Sequence, residues 1–347
     1  MVPKLTSADY GALGASVCTI ARVPRPDLSM CHNALCHGVR PDLRIVSLIA
    51  SATEIVCALG LRPNLVGRSH ECDFPPDVKG LPVCTSPKFQ TDGSSYEIDQ
   101  RVRAVLQESL SVYRVDAALL DELGPTHIVT QSQCEVCAVS LKDVEQAACE
   151  LIHSQPAIIS LQPNSLADIW TDIERVGVSL NIRDKALDLI GTLQERIRAV
   201  AATKFSSMPK LAYVEWIDPL MAGGNWMPEL IELAGGQNLF GVNGSHSPAL
   251  SWSEFQQADP DVIVVAPCGF DIERTLGEMH WLAERDGWKD LRAVKNNKVF
   301  VADGNQYFNR PGPRVVESME VLAEIMHPDV FHFGHQDIGW VPFIAKG

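Results

Sequence analysis

The sequence predicts an α/β fold of two Rossmann-like lobes, each with a mostly parallel sheet, joined by a single long bridging helix. Three observations lead there. Short β-branched runs alternate with helical segments through the first half of the chain, the alternation stops at a long helix near the middle, and it then resumes. Strand–helix alternation of this kind builds a parallel sheet covered by helices. The length of 347 residues suits two compact units.

Residues 1–43 show no sustained period and contain Pro24, Pro26 and Pro41, so they read as a poorly ordered extension. The N-terminal lobe (44–181) opens with the strand RIVSL (44–48) and the helix SATEIVCALG (51–60). There Ser51 and Glu54 have capping-box spacing, and Gly60 suits a helix exit. A second strand, NLVGR (64–68), leads into the polar corner SHECDFPP (69–76). Beyond a Gly/Ser-rich loop (92–95), Val102, Val105, Leu106 and Leu110 have helical spacing, and VDAALLDELGP (115–125) closes on Gly-Pro. The strand HIVTQ (127–131), the helix VSLKDVEQAACELI (139–152) and the strand AIISL (157–161) follow.

Leu166, Ile169, Ile173 and Val176 then mark an amphipathic helix, expected to break near Gly177. Leu187, Ile190, Leu193, Ile197 and Val200 mark one face of the bridging helix (182–203). About 20 helical residues reach roughly 30 Å, enough to cross from one lobe to the other. The C-terminal lobe (204–330) repeats the alternation: KLAYVEW (210–216), the helix WMPELIELAGG (226–236), SEFQQADP (253–260), DVIVVAP (261–267), helix around 272–293, KVFVAD (298–303) and a last helix from Pro313 to His327. The aromatic-rich tail (331–347) has no evident place in this scheme.

Composition narrows the function. Lys and Arg total 29 against 43 Asp and Glu, a net charge of −14, which excludes a general attraction for phosphate backbones or anionic lipid. Nucleic acid is therefore not an expected partner. No apolar run reaches the length of a membrane span. The segment GALGASVCTIA (11–21) resembles a secretory core, but Asp9 precedes it, no clean small-x-small site follows, and Val17 spoils a lipid-attachment site at Cys18. Ten scattered cysteines do not form a disulfide framework. Together these predict a cytoplasmic protein.

RIVSLIASATEIVCALG, LVGRSHECDFPP, VDAALLDELGPTHIVTQ, AGGNWMPELIELAGGQNLF, ALSWSEFQQADPDVIVV and YFNRPGPR (307–314) occur in one order. Over about residues 44–327 the chain thereby resembles the solute-binding proteins for cobalamin and ferric siderophores, particularly the cobalamin-binding branch. The resemblance implies two lobes with one bridging helix, a cobalamin-like ligand in the cleft, and an ABC transporter as partner. The lack of a clear export signal argues instead for a cytoplasmic carrier, store or sensor.

In open α/β lobes ligands sit beyond the carboxyl ends of the strands. That rule selects the segments after each strand and yields the candidate ligand-binding residues His70, Glu71, Cys72, Gln131, Gln133, Glu215, Trp216, Asn225, Trp226, Tyr307, Phe308, Asn309 and Arg310. The aromatic residues suit a large flat ligand such as a corrin ring, and the polar ones suit its amides, hydroxyls or carboxylates. Trp226 is placed in the cleft because Gly223, Gly224 and Asn225 before it suggest a pliant loop. His70, Cys72, Cys134 and Cys137 could hold zinc or iron, and His70 could ligate cobalt. A second such cluster, Cys31, His32, Cys36 and His37, lies in the extension. The alternative function is a metal- or thiol-dependent enzyme on the same scaffold, using His70, Glu71, Cys72, Cys134 and Cys137, with His70 beside Cys134 or Cys137 as a nucleophile pair and Glu71 and Glu135 as acid–base groups.

Overall fold

The computed structural model describes residues 40–108, 112–132 and 154–344. Among them, the N-terminal lobe carries a four-stranded sheet in the order β2-β1-β5-β6, formed by Leu65–Arg68, Ile45–Ser47, His127–Gln131 and Ala157–Leu161. All three pairings are parallel. A small antiparallel pair, β3 (Thr85–Pro87) and β4 (Tyr113–Val115), stands apart from it. The C-terminal lobe is built on β7 (Lys210–Trp216), β8 (Met221–Ala222), β9 (Gln237–Asn238), β10 (Val262–Val265), β11 (Val299–Ala302) and β12 (Trp340–Pro342). Their order is β12-β11-β10-β7-β8, with β9 also on β7. β7, β9, β10 and β11 are parallel, while β8 and β12 run antiparallel. The fold class read from the sequence is the one observed.

Two helices carry the chain between the sheets. Ser165 and Asp168 form a capping box at the start of the helix Leu166–Ser179. That helix does not break at Gly177. A Cβ there would stand 2.4 Å from the Cβ of Ala186, so the glycine lets two helices pack closely. The helix Arg183–Ala201 buries Ala186, Ile190, Leu193, Ile197 and Val200 in a core that continues into both lobes. Its Arg196 reaches the C-terminal lobe, pairing with Glu317 and Glu320 of the helix Val315–Met326 at 3.1 and 2.8 Å.

The tail covers a sheet edge. β12 pairs with β11, closing a flank that would otherwise expose unpaired backbone groups. Glu324 anchors this arrangement: its carboxylate accepts the backbone N–H groups of Gly334 and His335, and the Trp340 indole N–H at 3.0 Å. His335 Nε2 also meets Glu320 at 3.0 Å. Aromatic richness after Phe331 thus reflects packing.

Candidate functional site at the interlobe boundary

In each sheet the chain winds outward in both directions from a central pair of strands. The crevice of such a sheet opens beyond the carboxyl ends of that pair. In the N-terminal lobe these are β1 and β5, with Ser47 and Gln131 at their ends. In the C-terminal lobe they are β7 and β10, ending at Trp216 and Val265.

The lobes meet through a buried ion cluster. Glu54 accepts from Arg310 at 3.1 Å and from Arg314 at 2.6 and 2.9 Å, and all three side chains are 5% exposed or less. Arg310 also donates to Asp73 at 2.5 Å and to Asn305 Oδ1 at 3.1 Å. Arg314 lies over the rings of Phe74 and Tyr307. Glu54 is therefore not half of a capping box. The helix Ala50–Ala58 is preceded by Ile49 with no side-chain cap, because the Glu54 carboxylate is taken by two guanidiniums from the other lobe. Arg310, expected to face a ligand, is an interlobe strut. At Gly312 an added Cβ would lie 3.3 Å from the Ser51 carbonyl oxygen, showing how closely this loop lies on the helix start.

A second crossing lies elsewhere on the boundary. Both carboxylate oxygens of Glu278 accept the Ser95 N–H at 2.9 Å, and Arg274 donates to the carbonyls of Thr91 and Gly93.

On the N-terminal side, His70 is half-buried; its Nδ1 lies 2.8 Å from Thr85 Oγ1 and its ring packs edge-on to Tyr113. Burial, aided by Arg68, lowers its pKa and favours the neutral imidazole. Burial likewise raises the Glu71 carboxyl, against the opposing hydrogen bond from the Tyr113 hydroxyl at 2.6 Å. Cys72 is fully buried, accepts from Thr53 Oγ1 at 2.9 Å, and burial pushes its thiol up to about 12. Such a thiol is a poor nucleophile or metal ligand at neutral pH. Gln131 is buried at the last position of β5.

On the C-terminal side, Trp216 is half-buried: its indole N–H donates to the Asp218 carbonyl and its ring packs at 5.2 Å on Phe270. Glu215 accepts from the Ser247 hydroxyl at 2.7 Å. Tyr307 is half-buried and Asn309 donates to the Gly304 carbonyl, closing its own loop. Phe308 is wholly buried against Tyr213. The loop before Trp226 is not pliant. A Cβ on Gly223 would strike Tyr213, one on Gly224 would strike the backbone of 245–247, and Asn225 takes a left-handed conformation (φ 53°) that asparagine tolerates. Trp226, 7% exposed, belongs to the main core.

Gln133, Cys134, Glu135 and Cys137, and the Cys31–His37 cluster, lie outside the described residues. Among the described residues no group of three or more His, Cys, Asp or Glu side chains is placed to hold a metal ion, and no helix is long and apolar enough to cross a membrane. Sequence reasoning missed Glu54 and Asp73 as partners of Arg310, and Thr85, Tyr113 and Ser247 as partners of His70, Glu71 and Glu215. Several of these pairs are far apart in sequence, Arg310 and Glu54 by 256 residues, and no local pattern marks them.

Comparison with known proteins agrees with this architecture. Residues 45–305 match the model of a family described as periplasmic binding protein. The chain is 25% identical over 296 residues to an uncharacterized ABC transporter substrate-binding lipoprotein, YvrC, of Bacillus subtilis (strain 168), covering 83% of this chain and 81% of that protein. It is 25% identical over 289 residues to the vitamin B12-binding protein of Vibrio vulnificus (strain CMCP6), covering 82% and 90%. The apo structure of the periplasmic heme-binding protein RhuT from Roseiflexus sp. RS-1 superposes with a TM-score of 0.61 at 22% identity, over 84% of this chain and all of that one. These findings correct the expectation of a cytoplasmic protein, since the family is described as periplasmic, YvrC as a lipoprotein and RhuT as periplasmic, all extracytoplasmic. Cysteine usage misled because thiols such as Cys72 and Cys84 are buried and unpaired, so they fit either redox environment.

Proposed function

The chain belongs to the periplasmic binding protein family, and we propose that it is the solute-binding component of an ABC transporter, holding a cobalamin-like corrinoid or another flat metallated macrocycle of that size between its lobes. The observation that carries this reading is a pair of half-buried rings on the C-terminal lobe, Trp216 and Tyr307, together with the half-buried His70–Glu71 segment of the N-terminal lobe. Aromatic faces supply the apolar area that a macrocycle needs, and each can contribute roughly 0.5–1.5 kcal/mol beyond simple burial. Glu215, next to Trp216 in the chain, and Glu71 supply polar groups for the edges of such a ligand.

The names of the vitamin B12-binding and heme-binding relatives point to the same ligand class. Titration of the intact protein with cyanocobalamin and, separately, with hemin tests the reading through tryptophan fluorescence. Saturable one-to-one quenching by either ligand, weakened at least tenfold in Trp216→Ala, is expected. Failure of both to bind overturns it.

A further inference from the structure

The turn that follows β11 carries side chains to the other lobe. Gly304–Phe308 is one turn of π-helix, an uncommon form, between β11 and the helix Val315–Met326. Its Asn305 donates to Asp73 at 3.4 Å and accepts from Arg310, and its Tyr307 ring lies 5.5 Å from the Arg314 guanidinium. Asp303 accepts the Gln306 N–H at 2.7 Å, and Ser318 Oγ donates to the Tyr307 carbonyl at 2.8 Å. These bonds fix the backbone of the turn.

The Tyr307 ring itself rests on the C-terminal tail. A Cβ added to Gly339 would lie 3.3 Å from Tyr307 Cε2, so the tail backbone comes up against the ring edge. His335 packs on the same ring in a T-shaped contact, with centroids 6.1 Å apart. The two contacts form one unit: the Gly339 N–H donates to the His335 carbonyl at 2.7 Å, and the Gly339 carbonyl accepts the Asp303 N–H at 2.9 Å.

His335 is held at both its backbone and its ring. Its N–H donates to Glu324 at 3.0 Å, and its Nε2 meets Glu320 Oε2 at 3.0 Å. The other Glu320 oxygen accepts two N–H groups of Arg196, on the helix between the lobes, at 2.8 and 3.1 Å. Burial pushes the Glu320 carboxyl up, but the bonds and charges of His335 and Arg196 outweigh it. Glu320 is therefore an ionised acceptor, and His335 Nε2 carries the proton between them. Such a charge-assisted bond, buried with both partners, fixes the plane of the imidazole as well as its position.

The reading above gives the Tyr307 face to the ligand. Resting on it, we propose that His335 is a positioning residue for solute binding: anchored by Glu320, it sets the orientation of the Tyr307 ring. The C-terminal tail then belongs to the binding apparatus as well as to the sheet edge.

Two measurements on the full chain test this, the first without ligand. Protein containing 3-fluorotyrosine, with the Tyr307 signal identified by its loss in Tyr307→Phe, reports the ring by fluorine NMR. His335→Ala should shift or broaden that signal. Gly339→Ala, a smaller change against the same ring, should do so too, and replaces it if thermal unfolding shows that His335→Ala does not fold. With cyanocobalamin or hemin, whichever the wild type binds, His335→Ala should weaken affinity about three- to tenfold. The same substitution in a Tyr307→Ala background should change affinity less than about twofold, because effects that pass through one residue are not additive. An unchanged fluorine signal in a folded variant, or equal losses with and without Tyr307, overturns the positioning role and leaves the macrocycle reading intact. If neither ligand binds the wild type, the macrocycle reading fails, and the fluorine signal alone decides whether His335 sets the ring.

Discussion

Replacing Glu54 by alanine removes the carboxylate that two buried cations share. Glu54, Arg310 and Arg314 are 3%, 5% and 4% exposed, so solvent cannot take over the lost charge. Arg310 keeps Asp73, whose side chain is 31% exposed and hence partly screened. Among the described residues Arg314 keeps the faces of Phe74 and Tyr307. Removing one partner of a buried pair costs about 3–5 kcal/mol, and Glu54→Ala leaves Arg314 without a carboxylate among the described residues and Arg310 with Asp73 alone. At about 2–4 °C per kcal/mol, the midpoint of thermal unfolding should fall by roughly 6–20 °C. Asp73→Asn, at the exposed end of the cluster, should cost about 1 kcal/mol or less.

Asp73 also makes stability depend on pH. Burial is the largest single influence on the Asp73 carboxyl and pushes it up, but the hydrogen bond and charge of Arg310, with Asn305 and Arg314, together outweigh it and hold the carboxyl below the ordinary 3.8. The unfolded chain therefore binds the proton more readily. Asp73 contributes stability above that ordinary value and loses it as pH falls through the lowered one. The gap between wild type and Asp73→Asn should thus close in acid. Calorimetric unfolding of the three proteins between pH 3 and 7 is the assay. Glu54→Ala within about 1 kcal/mol of wild type, or Asp73→Asn as costly as Glu54→Ala, would refute the view that a buried interlobe cluster joins the lobes.

Two other outcomes follow from burial and packing. Iodoacetamide at pH 8 should alkylate the exposed Cys268 of the native protein and spare Cys72, whose thiol is wholly buried and pushed up to about 12; peptide mapping that finds both modified at equal rates contradicts this. Gly177→Ala should destabilise by about 1–3 kcal/mol through overpacking, because its Cβ would stand 2.4 Å from that of Ala186; denaturant unfolding measures it, and Ala186→Gly in the same chain should recover part of the loss.

Strands were the most legible elements. HIVTQ, AIISL and KLAYVEW occupy β5, β6 and β7 residue for residue, because β-branched runs bounded by polar turns have few other uses. β12 was not legible: its pairing is set by Glu324 and a neighbouring strand, which a local pattern does not contain. Glycine was read as conformational freedom at Gly177 and at Gly223–Gly224, and in both places the structure uses the missing side chain for close approach instead. The strand-end rule brought His70, Glu71, Trp216 and Tyr307 to half-buried positions. It carried Phe308 and Trp226 along with them into the core, since a strand end marks where a side chain sits and not which way it turns.

Hydrogen exchange of the intact protein, with and without saturating cyanocobalamin or hemin, tests the central claim most directly. A solute held between the lobes should slow exchange together at 69–74 and 91–95 of one lobe and at 215–218 and 303–310 of the other. Protection confined to a single lobe, or no change with either ligand, would contradict it.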